Sequence, residues 1–198
     1  EDDARATPTR PALNLLGRTV KVKHILEGRA DDALGRLAAD VVADARGVDA
    51  DALARDVDRL FALCPGLGER VARGEVKRAL AAELAVDLRE TMAAMLAIKN
   101  TFASADVDAG DVCAREPRLL RLREEALEGV RERAASTRER LGDACDADGL
   151  FATIPSCLLA SQEELDGILE RVTGLRALMP DADIVKLLRG RPALCLED

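Results

Sequence analysis

The side chains that could carry chemistry are few, and their spacing does not assemble them. The single histidine, His24, lies beside Val22 and Ile25 and has no triad or metal partners close in sequence, so it reads as a surface or packing residue. Asp143, Asp146, Asp148 and Gly149 invite a calcium-loop reading. That loop would need an acid at position 144, where Ala144 stands, and a bidentate Glu at position 155, where Pro155 stands. The acids are better explained as a helix cap. Gly66-Leu-Gly68 lacks the lysine and hydroxyl of a phosphate loop and is not a dinucleotide fingerprint. Glu124, Glu125 and Glu128 interleave with Arg121, Arg123 and Arg131, an alternation of sign that marks a solvated helix face. Five cysteines (Cys64, Cys113, Cys145, Cys157, Cys195) form no CxxC pair. Most fall in otherwise apolar slots, so they read as buried thiols of a reducing compartment. The sequence thus predicts no catalytic residue, no metal ligand and no cofactor.

Phosphate recognition is the remaining chemistry to weigh. Arg115, Arg118, Arg121 and Arg123 form one basic cluster, and Lys186, Arg189 and Arg191 another. These could line one edge of a repeat protein and neutralise a nucleic-acid backbone. Against this, the chain of 198 residues has net charge −8, and acids match or outnumber bases in every quarter of it. Only Phe61, Phe102 and Phe151 are aromatic, so stacking platforms for single strands are lacking. A local basic stripe free of acids would favour nucleic acid, whereas a mixed or apolar face would favour a protein partner.

The elements that must position any site are written as a repeat. Asp56, Asp108, Asp146 and Asp183 each stand nine residues before a proline: Pro65, Pro117, Pro155 and Pro192. In every copy the fourth and fifth residues after the Asp are apolar or Cys: Leu60/Phe61, Val112/Cys113, Leu150/Phe151 and Leu187/Leu188. Two residues beyond each proline comes Leu67, Leu119, Cys157 or Leu194. The physical reading is a short helix capped by the Asp carboxylate and stopped before the proline at Cys64, Glu116, Ile154 and Arg191. A 3₁₀ piece or turn then seals the unit. The prolines lie 52, 38 and 37 residues apart, so the first unit holds an extra helix. Such units bury their apolar faces only by stacking, which predicts an all-α irregular solenoid of about four helical repeats.

A long helix followed by an Asp-capped short helix and a Pro-x-Leu stop resembles the mitochondrial transcription termination factor (mTERF) family. The resemblance is carried best by Leu175 to Leu194 and by Leu150 to Leu159, covers about residues 100–198, and extends less well to 49–70. It implies an α-solenoid, an organellar location (chloroplast taken ahead of mitochondrion), and in many members nucleic-acid binding along a basic concave face.

Other expectations concern the connecting pieces. Residues 1–12, with Pro8 and Pro11, read as an extended polar tail, and Val20 to Ile25 as a short extended piece or helix start; 13–198 reads as one domain. The chain opens on Glu1, not Met, which leaves room for a targeting segment upstream. A helix from Asp31 or Asp32 to Ala45 would turn Leu34, Leu37, Val41 and Val42 inward and end at Gly47. Asp49 or Asp51 would start a helix running to Cys64, followed by a loose turn at Gly66 and Gly68. One long helix from Glu75 would bury Leu80, Leu84, Leu88, Met92, Leu96 and Phe102, and another would span Arg118 to Leu141. Ser161 to Glu164 is a capping box opening a helix on which Leu165, Ile168, Leu169, Val172, Leu175 and Leu178 follow at helical spacing. No run is long and apolar enough for a membrane span. The function expected is a non-catalytic binding module: a protein-binding scaffold or accessory subunit of a larger organellar complex (photosynthetic, ribosomal or transcriptional), soluble or peripherally attached. An organellar nucleic-acid regulator is the alternative.

Overall fold

The computed structural model describes residues 13–15, 18–20 and 30–196; the tail 1–12 and His24 lie outside them. A three-residue antiparallel pair, β1 (Leu13–Leu15) and β2 (Arg18–Val20), holds Asn14 opposite Thr19. Everything described after it is helical: α1 (Ala30–Arg46), α2 (Ala50–Leu63), α3 (Pro65–Ala72), α4 (Arg78–Ala85), α5 (Leu88–Lys99) and α6 (Ala109–Arg115) in the first half. Then come a 3₁₀ turn (Pro117–Arg121), α7 (Glu124–Leu141), α8 (Ala147–Thr153), a second 3₁₀ turn (Pro155–Leu158), α9 (Gln162–Leu178), α10 (Ile184–Gly190) and α11 (Ala193–Leu196). The protein is all-α, as its Leu-, Ala- and Arg-rich composition favours.

The repeat is visible bond by bond. Asp108, Asp146 and Asp183 cap α6, α8 and α10, their carboxylates accepting from the amides of Gly110, Asp148 and Lys186 at 2.8, 3.1 and 2.9 Å. The residues before the four prolines share one backbone conformation, with ψ of 74° at Cys64, 77° at Glu116, 75° at Ile154 and 71° at Arg191. This lies outside the helical region, as the clash with the proline ring requires. Each of these residues still donates its amide to the carbonyl of Leu60, Val112, Leu150 or Leu187, so the helix makes its last bond before it stops. Its own carbonyl then accepts from Leu67, Leu119, Cys157 or Leu194, closing the turn behind the proline.

The short helices touch in order, α3 against α6, α6 against α8, and α8 against α10, while α5 meets α7 and α7 meets α9. One core cluster runs from Ala39 to Cys195. The long helices carry a second repeated pattern that the motif reading missed: Leu127-Glu-Gly-Val-Arg-Glu-Arg133 and Leu165-Asp-Gly-Ile-Leu-Glu-Arg171. Arg133 donates through Nε and Nη2 to the carbonyl of Leu158, and Arg171 through Nε to that of Cys195. In both units a long-helix arginine thus satisfies the third carbonyl after the proline, a group the broken helix would otherwise leave orphaned. Two lines of seven residues, 38 apart, were the signal for it.

Several expectations need correcting. Asp56 is no cap: it sits half-buried inside α2 and pairs with Arg59 at 2.8 Å, while Asp49 caps that helix by accepting from Ala52 at 2.7 Å. Gly66 and Gly68 do not form a loose turn but belong to α3, where missing Cβ atoms let Gly66 pack on Ala114 and Gly68 on Phe61. The long helix from Glu75 is two helices, because the Asp87 carboxylate accepts from the Glu90 amide and restarts the chain as α5. The break shifts the phase, so α5 buries Thr91, Ala94 and Ile98, and Leu96 turns to solvent. Pro117 delays α7 to Glu124, and in α1 Leu34 is exposed while Ala39, Val42 and Ala43 face the core. Leu187 and Leu194 are only partly covered, unlike their counterparts upstream. Gly47, at φ 68°, does end α1, and the Ser161–Glu164 capping box opens α9.

Gly149 marks how closely the last two short helices pack. A Cβ there would lie 2.5 Å from the Asp146 carboxylate and 3.1 Å from Val185 on α10. Alanine gains about 1 kcal/mol in helix propensity, but crowding of this kind costs about 1–3 kcal/mol. Gly149→Ala is therefore expected to lower stability by up to about 2 kcal/mol in urea denaturation. An unchanged midpoint would mean that α10 and the cap yield without strain.

Candidate interaction surfaces

The seven basic side chains do not form a stripe clear of acids. Arg115 pairs with Asp111 at 2.7 Å and reaches the Ala152 carbonyl at 3.4 Å. Arg118 is held bidentately by Glu116, both bonds 2.7 Å, which raises the guanidinium pKa further. Arg121 lies 3.6 Å from Glu83, and Arg123 pairs with Glu90. Lys186 and Arg189 border a cleft of ≈ 490 Å³ together with Arg176, but Asp143, Asp146 and Asp183 border it too. Arg191 is exposed at the end of α10. Arg118 faces a different cleft, of ≈ 540 Å³, beside Arg171, Glu163 and Glu164. Such exposed pairs contribute about 0–1 kcal/mol each to stability. Their consequence for binding is larger, since an arginine already facing a carboxylate releases little from a phosphate's counterion atmosphere.

The thiols are chemically quiet. All five are buried and free, and burial pushes Cys145 up to about 11 and Cys157 up to about 12; Cys64, Cys113 and Cys195 move the same way for the same reason. At neutral pH they are protonated, and the thiolate is the nucleophile. Among the described residues no three His, Cys, Asp or Glu side chains are placed to hold a metal ion. No described helix is long and apolar enough to cross a membrane.

What the fold does open is an apolar groove of ≈ 760 Å³ between the end of α2, the outer face of α5 and the segment 105–110. Leu63, Met92, Met95, Leu96 and Val107 line it, with Lys99 and Asp106 at the rim. Leu63 is 49% exposed at the end of α2, and Leu96 58% exposed as the outcome of the phase shift at Asp87. The groove's far wall is anchored from behind. Asp148, 4% exposed, accepts from the amides of Ala103 and Ser104 at 2.7 and 2.8 Å through Oδ2. Its Oδ1 accepts from Arg138 Nε at 2.9 Å, and Arg138 also bonds the Thr101 carbonyl. Asp148, which looked like part of a cap in the sequence, therefore clamps the loop between α5 and α6 to α7 and α8. Only a partner 44 or 45 residues away explains it, and local spacing carries no sign of that.

Compared with known proteins, the chain matches no family model, no curated protein and no solved structure.

Proposed function

We propose that this chain is a non-catalytic binding module, an irregular mTERF-like α-solenoid that acts as a protein-binding scaffold or accessory subunit of a larger organellar complex. One contrast carries the reading: four of the arginines best suited to phosphate are spoken for by carboxylates, while the Leu63/Met92/Met95/Leu96 groove is open. Methionine side chains adapt to irregular apolar partners, and a groove between helices takes the apolar face of an amphipathic helix. The partner is therefore a protein segment of that kind.

Affinity purification from organelle extract, with and without nuclease, tests the class of partner. A defined set of proteins that survives nuclease supports the scaffold; partners that vanish with nuclease would return the reading to an organellar nucleic-acid regulator. The groove itself is tested by Leu96→Asp. Because that side chain is mostly exposed, the variant is expected to keep its melting temperature and to lose the nuclease-resistant partners. Retention of every partner would remove the groove from the proposal. In a direct assay, RNA or DNA is expected to bind no better than about 10⁻⁴ M at physiological salt, the weak end of non-specific association.

A further inference from the structure

The last repeat leaves open a face that the fold buries in each earlier one. The fourth residue after the motif Asp and the second after its proline are covered in copies one to three: Leu60 and Leu67, Val112 and Leu119, Leu150 and Cys157, all at 0–1% exposure. In the fourth copy Leu187 is half-buried and Leu194 is 41% exposed. Leu178, at the end of α9, is 81% exposed, and nothing lies within 4 Å of where a Cβ on Gly190 would stand. In the second and third copies the next short helix packs on this one, α8 on α6 and α10 on α8. The face on α10 is thus shaped to receive another helix of the same kind.

We propose that its occupant is a second copy of this chain, joined through α10 about a two-fold axis. A closed pairing of like faces uses this one surface and needs no second patch. The charges along α10 are self-complementary when two copies run antiparallel. Asp181 and Asp183 precede the helix and Arg189 and Arg191 end it, all exposed, so the acidic end of one meets the basic end of the other.

Sedimentation of the full chain across a concentration series reaching about 100 μM reads the association directly. A reversible monomer–dimer equilibrium that weakens with added salt is expected. Leu194→Asp is expected to weaken it at least about tenfold, with an unchanged helical signal and melting curve for the monomer because the residue is already part-exposed. Arg191→Glu and Asp181→Arg should each weaken the dimer, and the two together should restore it, a recovery that loss of fold could not produce. A chain that stays monomeric throughout overturns the proposal. So does a dimer indifferent to Leu194→Asp, a charge swap without recovery, or an open-ended polymer.

Discussion

An Asp148→Ala variant is expected to lose about 3–5 kcal/mol of folding stability, the range for removing one partner of a buried ion pair. For a domain whose whole stability is about 5–15 kcal/mol, that brings the chain near its threshold. The size follows from what the carboxylate satisfies. It accepts from two backbone amides and from Arg138, and its side chain is 5% exposed against 30% for Arg138. Alanine leaves the Ala103 and Ser104 amides without that acceptor and a guanidinium without a counter-charge, while the loop of residues 101–108 loses its tie to α8 and keeps only the Arg138–Thr101 bond to α7. Asp148→Asn separates the terms. An amide oxygen can still serve the two N–H groups, so its loss should be smaller, and the difference reports the charge. Guanidinium or urea unfolding followed by far-ultraviolet circular dichroism measures all three, and Arg138→Ala completes a double-mutant cycle. A coupling below about 0.5 kcal/mol between Arg138 and Asp148 would mean that solvent already screens the pair.

That clamp also shows where the sequence stopped being informative. Caps, proline stops and the sealing turns are local: an aspartate finds its amides within three residues, and a proline acts on the residue before it. The caps were legible at Asp108, Asp146 and Asp183 and the stops at all four prolines, but the 3₁₀ seal follows only Pro117 and Pro155, while Pro65 and Pro192 lead into the α-helices α3 and α11. Asp56 misled because the same spacing occurs inside a helix that Asp49 had already started, and spacing cannot say which of two acids caps. The face of α5 was misassigned for a related reason. A helical period carried through Val86 and Asp87 puts Leu96 inward, whereas a restart at Asp87 puts Ala94 and Ile98 there. The groove at Leu63, Met92 and Leu96 exists only because of that restart, so no reading of one unbroken helix would find it. Arg133, Arg138 and Arg171 read as surface charge by composition, yet each ends on a carbonyl or carboxylate more than nine residues away. The short helix or turn of the same unit supplies the partner, and only the folded unit brings it into reach.

Leu188→Asp and Leu187→Asp, neighbours on α10, are expected to behave as different kinds of mutation. The sequence treats them as one apolar pair, but Leu188 is fully buried and Leu187 only half. Truncating a leucine in a packed core costs about 2–5 kcal/mol, and an unpaired carboxylate in its place adds the cost of desolvating a charge. Leu188→Asp should therefore unfold the C-terminal unit. Because repeats are held chiefly by their neighbours, the damage should be local. Hydrogen exchange is expected to lose protection across 184–196 and much of α9 while α1 to α4 keep theirs. The pH dependence checks the cause. Burial raises the new carboxyl's pKa above its unfolded value of about 3.9. The ionisation penalty is then absent below that value and grows as pH rises, so the variant should stand closer to wild type at about pH 4 than at about pH 7. Leu187→Asp has water on one side to hydrate its charge; its loss should stay near about 1 kcal/mol and change little with pH. Equal, pH-independent losses at both positions would mean that the two residues share one environment, and the open face on α10 would not exist. A stable Leu187→Asp that also fails to dimerise, beside an unfolded Leu188→Asp, would instead separate the side of α10 that builds this chain from the side that faces its twin.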